Sequence, residues 1–248
     1  MLYVKNLSKS YFSGKTEYPV LKDVSFHVAA GEFVAVMGPS GSGKTTLLNC
    51  ISCYIPFDKG DITLGGQHLA HLNENALARV RNEKLGFVFQ DFMLLDGLTV
   101  RENILVPRII KGTMDMEGEH LADKLLELFA ISHIRAKYPA DISGGERQRT
   151  AVARSLINSP LVLLADEPTG NLDSKSSRTV IESFENARDK MNATIFMVTH
   201  DSFSASFCDR VILLKDGCVY RQLERTGTRQ EFHTELLDTI KEMSGDDV

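Results

Sequence analysis

At 248 residues the chain is long enough for one large α/β domain, or for a core with a smaller subdomain. Its charged and hydrophobic fractions, 25% and 43%, are those of an ordinary globular protein. The formal net charge of −5 gives no sign of a nucleic-acid footprint, and no apolar run approaches the roughly 18 residues of a membrane span.

The first residues, MLYVKNLSKSYF, lack the apolar core of a signal peptide. A cytosolic chain is expected, with any membrane role acting through a partner. LYVKNLSKSYF and VLKDVSFHVAAGE predict two strands joined by a polar loop at SGKTEYP. FVAVMG, 33–38, is a continuous apolar run of the kind that forms a strand buried on both faces. KTTLLNCIS then turns to helical spacing, with Leu47, Leu48 and Ile51 on one side. Cys50 and Cys53 form a C-x-x-C within that helix. Neither Cys208 nor Cys218 supplies a second pair at zinc spacing, so the two read as buried helix residues.

LGFVFQ, 85–90, predicts a second buried strand. Thr99 with Glu102, and Ser143 with Glu146, each form a capping box that starts a helix. Leu121, Leu125, Leu128 and Phe129 recur at helical spacing between them. LVLLAD, TIFMVTH and RVILLKDG bring the strand pattern back, and Asp216-Gly217 predicts a hairpin turn into CVYRQL. Phe232, Leu236, Leu237, Ile240 and Met243 predict a final helix that packs back on the core, with subunit pairing as the alternative. Strands alternating with helices predict a largely parallel sheet covered on both faces. Within it, 1–90 and 156–220 read as the core, 91–155 as an inserted helical subdomain and 221–248 as a helical tail.

The chemistry begins at Gly38–Thr45, which fits G-x-x-x-x-G-K-[ST] between a predicted strand and a predicted helix. Glycines let backbone N–H groups close on phosphates, and the helix start adds positive potential. Gly38, Pro39, Ser40, Gly41, Ser42, Gly43, Lys44, Thr45 and Thr46 are therefore candidate nucleotide contacts, with Lys44 reaching the β- and γ-phosphates. The Thr45 hydroxyl is suited to Mg²⁺, which prefers oxygen ligands. LVLLADE ends in two carboxylates: Asp166 is placed to hold Mg²⁺ through its hydration shell, and Glu167 to polarise the attacking water. Gln90 and His200 each close an apolar strand. A lone histidine there is more often structural, but Gly38, Gln90, Asp166 and His200 all fall at predicted strand ends, where ligands bind in such sheets.

These motifs, in this order, resemble the nucleotide-binding subunit of an ATP-binding cassette (ABC) transporter. GPSGSGKTT resembles its Walker A loop, Gln90 its Q-loop, ISGGE its signature, LVLLADE its Walker B strand, GNLD its D-loop and His200 its switch histidine. The resemblance implies an α/β P-loop NTPase fold with an N-terminal antiparallel β subdomain and an inserted helical subdomain. It implies that Tyr11 stacks on adenine, that Gln90 joins Thr45 and Asp166 at the metal, and that His200 contacts the γ-phosphate. It also implies a homodimer formed on ATP binding, in which Ser143, Gly144, Gly145 and Glu146 meet the other subunit's ATP and Asp173 crosses to that subunit. The family's motif has glutamine where this chain has Glu146, and a carboxylate repels a γ-phosphate. Glu146 is therefore expected to turn back on its own helix cap.

DEPTGNLDS and GFVFQDFMLLDGLTVRENI are similar to the branch holding lipoprotein-release, MacB-like and cell-division ATPases. QDFMLLDGLTVRENILVP and EFHTELLDTIKEMSGDD are similar to bacitracin- and nisin-resistance systems. That implies an ATPase on the inner face of the cell membrane, docked through Gln90–Asn103 to a permease that senses or removes antimicrobial peptides. DFMLL, 91–95, reads either as part of the groove for that permease or as core of the helical subdomain. Two alternatives stand beside this reading: a cell-division or lipoprotein-type ATPase doing mechanical or signalling work, and a soluble iron–sulfur assembly ATPase, which usually lacks PTGNLD.

Overall fold

The computed structural model describes residues 1–113 and 115–245. The chain opens with β1 (Leu2–Ser13), β2 (Thr16–Val28), β3 (Phe33–Met37) and α1 (Lys44–Ile51). The short strands β4 (Lys59–Leu64) and β5 (Gln67–His68), helix α2 (Glu74–Glu83) and β6 (Leu85–Val88) follow. Three helices come next: α3 (Val100–Lys111), α4 (Met116–Leu128) and α5 (Gly144–Leu156). The last third alternates: β7 (Val162–Asp166), α6 (Ser174–Met191), β8 (Ile195–Val198), α7 (Ser202–Ala205), β9 (Arg210–Lys215), β10 (Cys218–Glu224) and α8 (Arg229–Ser244).

The strands form two sheets. One is antiparallel, in the order β2-β1-β4-β5; the other has six strands in the order β10-β9-β3-β8-β7-β6. In the second, β9, β3, β8, β7 and β6 are parallel and β10 is an antiparallel edge. Alternation along β3 explains the layers, because successive side chains point to opposite faces. Phe33, Ala35 and Met37 pack with residues of α3, α4, α5, α6 and α8, while Val34 and Val36 pack with α1 and the antiparallel sheet. Asp166 is level with Val198, and Val198 with Val36. The segments carrying Gly38, Glu167 and His200 therefore leave the sheet along one edge.

Local signals act as the sequence requires. Thr99 and Ser143 both form complete capping boxes with Glu102 and Glu146. Asp216 and Gly217 both take positive φ, 51° and 82°, as a two-residue hairpin turn between β9 and β10 demands. The N-terminal strands differ from expectation. Pairing of Tyr11 with Tyr18, Phe12 with Glu17 and Ser13 with Thr16 carries them through the expected polar loop, leaving only Gly14 and Lys15 to turn. Helix α1 stops at Ile51, so Cys53 lies beyond it in a turn at φ 61°. In DFMLL the chain turns at Phe92 and Met93, both left-handed. Leu94 packs on the core while Met93 and Leu95 stay exposed.

On α8, Phe232, Leu236 and Met243 are buried and Ile240 packs against them, but Leu237 faces solvent. This helix lies on α7. Ser202 Oγ and His233 Nε2 are 3.1 Å apart, and the Arg229 guanidinium sits 4.2 Å above the Phe207 ring.

Candidate nucleotide site

Between β3 and α1 the loop has no room for side chains where it matters most. A Cβ on Gly38 would meet the Leu214 carbonyl oxygen at 2.2 Å. Gly43, which begins α1, has φ 100° and backs onto Leu21 and Val20. On the outer side Gly41 faces open space, which leaves the cradle clear. The loop closes around its own lysine: Lys44 Nζ donates to the Gly38 carbonyl at 2.8 Å and the Pro39 carbonyl at 2.9 Å. Burial holds the Lys44 ammonium below its ordinary range, with Glu167 and Asp166 pulling the other way.

Glycines 38, 41 and 43, Ser40, Lys44, Thr45 and Thr46 line a cavity of about 470 Å³, closed by Val20, Glu167 and His200. A neighbouring cavity of about 570 Å³ shares Glu167 and His200 and runs past Thr169, Gly170 and Leu172 to Ser202 and Phe203.

Asp166 is the last residue of β7. Burial, reinforced by the adjacent Glu167 and partly offset by Lys44, holds its carboxyl above the usual carboxylate range. Glu167 turns the chain out of the strand with φ 45°, a left-handed conformation unusual for a side-chain-bearing residue. Its N–H donates to the Val198 carbonyl at 2.9 Å. Its Oε1 lies 2.9 Å from His200 Nδ1, and its Oε2 accepts the His200 N–H at 3.3 Å. The sequence places His200 on a γ-phosphate; here its ring rests on Glu167 at the cavity mouth.

Other sequence-derived candidates sit elsewhere. Gln90 lies past the end of β6, and its Nε2 donates to Asn171 Oδ1 at 3.0 Å, while Asn171 Nδ2 donates to Asp91 Oδ1 at 2.8 Å. Gln90 thus faces the segment after Glu167 and does not line the phosphate-loop cavity. Tyr11 is exposed on β1 opposite Tyr18, with Lys9 Nζ 5.7 Å from its ring centre. Asp173 caps α6, accepting N–H bonds from Lys175 and Ser176 and, at 2.6 Å, the Ser176 hydroxyl. Those donors, the Ser176 hydroxyl foremost, hold its carboxyl low. Ser143 to Glu146 start α5 away from the loop cavity. Glu146 does turn back: its Oε2 accepts from the Ser143 N–H at 2.8 Å and hydroxyl at 2.7 Å.

Sequence reasoning passed over three residues here. Val20 forms a wall of the loop cavity. Asn171 ties Gln90 to Asp91, and its place inside GNLD was the available signal. Gln148, fully buried on α5, donates to the Phe89 carbonyl at 3.1 Å and the Pro168 carbonyl at 2.7 Å. It thereby joins the residue before Gln90 to the residue after Glu167. The spacing of five from Ser143 carries no recognisable signal.

Thr45 and Asp166 form a hard-oxygen pair suited to Mg²⁺, which takes one or two protein ligands and completes its shell with phosphates and water. Among the described residues no cluster of three or more His, Cys, Asp or Glu could hold a metal alone. The raised Asp166 carboxyl, beside a second carboxylate, is the group a cation would relieve. The site therefore fits Mg²⁺ arriving with a nucleotide.

Comparison with known proteins agrees with this geometry. Residues 21–170 match the ABC transporter family profile. The chain is 44% identical over 245 residues to the ABC transporter ATP-binding protein YxdL of Bacillus subtilis, covering 99% of this chain and 95% of that protein. It is 42% identical over 250 residues to the bacitracin export ATP-binding protein BceA of Halalkalibacterium halodurans, covering 99% and 97%. The dimeric structure of the cassette MJ0796 of Methanocaldococcus jannaschii, bound to ADP and Pi, matches with a TM-score of 0.80 at 38% identity, over 92% of this chain and 100% of that one. A profile match across more than half of the chain makes this chain a member of the ABC transporter family, of which it forms the ATP-binding domain.

Proposed function

We propose that this chain is the ATP-hydrolysing subunit of an ABC transporter that confers resistance to, or senses, antimicrobial peptides of the bacitracin and nisin type. The observation that carries the ATPase reading is that Lys44 and the His200-held Glu167 line one cavity with the phosphate loop. Lys44 leaves the Gly38 and Pro39 carbonyls for the β- and γ-phosphates, and the loop N–H groups close on the same oxygens. Glu167 orients a water and takes its proton as the water oxygen bonds to the γ-phosphorus and the bridging β–γ oxygen leaves on ADP. His200 holds Glu167 and reaches the γ-phosphate. Held from the protein side by Thr45 and Asp166, Mg²⁺ supplies neutralising charge when bound.

The dimeric MJ0796 structures support pairing of two chains; in this reading the pair is head to tail, each chain offering the start of α5 to the other's ATP. In this reading Tyr11 receives the adenine, and Gln90 leaves Asn171 for the metal. Residues 1–90 and 156–220 are the ATP-binding core, 91–155 carry the signature, and 221–248 are the tail. Among the described residues no helix is long and apolar enough to cross a membrane. In this reading the work is delivered at the cytoplasmic face through a permease docked on the Gln90–Asn103 region. There Met93 and Leu95 are exposed, and Asn103 braces the loop by donating to the Leu95, Leu98 and Thr99 carbonyls. Identity to BceA over nearly the whole chain supports the peptide reading.

The test is co-purification of the membrane partner with this chain, followed by bacitracin and nisin challenge of a deletion strain. Increased susceptibility, restored by the wild-type chain but not by Glu167→Gln, is the expected result. Unchanged susceptibility would remove the peptide role and leave the ATPase standing, which a Mg²⁺-ATP turnover assay of the purified chain decides separately.

A further inference from the structure

The start of α5 presents a conflict that the capping box resolves only in part. The Ser143 hydroxyl has one proton to give. In this structure it goes to Glu146 Oε2 at 2.7 Å, so the hydroxyl has no proton left to donate to a phosphate. A helix start that meets phosphate uses its N–H groups and its cap hydroxyl together. When Ser143 turns outward, Glu146 loses that hydroxyl bond, and its charge then stands one helical turn from an incoming polyanion.

The fold supplies a second holder. Glu146 Oε1 lies 3.1 Å from Nε2 of His133. That histidine belongs to a different element, the 3₁₀ turn Ser132–Ile134. Ile131 and Ile134 on either side of it are 0% and 1% exposed, so the turn is fixed by the core and not by the cap of α5. Arg149, one turn further along α5, is a cation near Glu146, but its Nε is committed to the Phe129 carbonyl at 3.1 Å. His133 is thus the group that contacts the carboxylate on the side away from Ser143.

We infer that His133 is a positioning residue for nucleotide engagement: it keeps the Glu146 carboxylate when Ser143 turns its hydroxyl to a γ-phosphate held by a second copy of this chain. The inference rests on the reading that the start of α5 meets the second chain's ATP. It explains how a glutamate is tolerated where the family's motif carries an uncharged amide. It also makes His133 and Glu146 a functional pair, so that a change at one matters only while the other is present.

The experiment measures ATP-dependent dimerisation by sedimentation, using Glu167→Gln as the background so that ATP persists. His133→Ala is expected to raise the ATP concentration at half-dimerisation about two- to fivefold, the size of one side-chain hydrogen bond. His133→Gln, which retains a donor, recovers most of that loss. With Glu146→Gln added, His133→Ala has no effect. An equal shift from His133→Ala with either residue at 146 would show a merely structural role and overturn the inference, as would no shift with Glu146 in place. A background chain that forms no dimer at any ATP concentration overturns the dimer reading itself, and the inference with it. Thermal unfolding of each variant separates these outcomes from loss of fold.

Discussion

His200 holds Glu167 at both carboxylate oxygens, Nδ1 standing 2.9 Å from Oε1 and the backbone N–H reaching Oε2 at 3.3 Å. The carboxylate is thus held from the segment after β8 while its own backbone follows the end of β7. Glu167→Gln keeps the shape and the N–H contact but loses the proposed base. Turnover is expected to fall about 10²- to 10⁴-fold with ATP binding retained, and an ATP-bound dimer should accumulate on size exclusion. A mutant hydrolysing at the wild-type rate would remove Glu167 from this role.

Lys44 Nζ is held by the Gly38 and Pro39 carbonyls at the cavity it shares with Glu167. Lys44→Ala removes a charged contact to phosphate worth roughly 1.5–3 kcal/mol. ATP affinity should drop about 10- to 100-fold, measured by calorimetry at fixed Mg²⁺. Undiminished affinity would count against the phosphate-loop assignment.

Gln148 reaches the carbonyls on the near sides of Gln90 and Glu167 from one buried amide. Gln148→Leu strands both carbonyls, at about 1–3 kcal/mol each. Removing Oε1, which is buried without a partner among the described residues, offsets part of that loss. A net loss of about 2 kcal/mol lowers Tm by roughly 4–8 °C for a chain of this size. The distinguishing readout is kinetic: kcat should fall while KM for ATP holds, because the Glu167 turn loosens and the loop does not. A lowered Tm with unchanged kcat would make Gln148 a packing residue only.

Burial, together with Glu167, holds the Asp166 carboxyl above its ordinary range. The folded chain therefore grips that proton more tightly than the unfolded chain. The stability it confers is present at acid pH and is lost as pH rises from the ordinary carboxylate range through the folded-state value. At neutral pH Asp166→Asn should raise the Tm of the nucleotide-free chain, by up to about 3 °C, while Mg²⁺-dependent turnover collapses. The Tm gain should vanish in acid, which a pH series of melting curves checks.

The thiols make a separate test of the core. Burial pushes Cys50 up to about 12 and Cys53 up to about 11, and Cys208 rises well above its usual range for the same reason. Cys218 alone among the four is exposed. At pH 8 a thiol at 12 is thiolate in only about one part in 10⁴, so it scarcely reacts. One rapid thiol per folded chain is expected with an aromatic disulfide reagent, at Cys218 by peptide mapping, and four after denaturation. Rapid loss of Cys50 or Cys53 would mean that the helix end after the phosphate loop opens.

What the sequence displays and what it hides divide along physical lines. β3, β7 and β8 announce themselves as apolar runs, and each run stops at or just before a candidate site residue, so Gly38, Asp166, Glu167 and His200 can be found by reading to the end of a strand. The caps of α3 and α5 are legible because a capping box is a local arrangement of four residues. His133 is not legible, because a single 3₁₀ turn has no periodicity and its contact with Glu146 spans 13 positions. Gln148 hides because its two partners lie 59 and 20 positions away. The run of β1 and β2 through a polar stretch is hidden too, since cross-strand pairing there overrides composition. The landing of α8 on α7 depends on Arg229 meeting Phe207 and His233 meeting Ser202, which no window of either helix shows.

Glu167 sits at φ 45°, where side-chain-bearing residues are costly by about 1 kcal/mol or more and glycine is at ease. Glycine or asparagine at 167 would ease that backbone and delete the carboxylate. The strain at this turn is therefore offset only by what the carboxylate does, and Glu167→Gly should raise Tm while abolishing the proposed turnover.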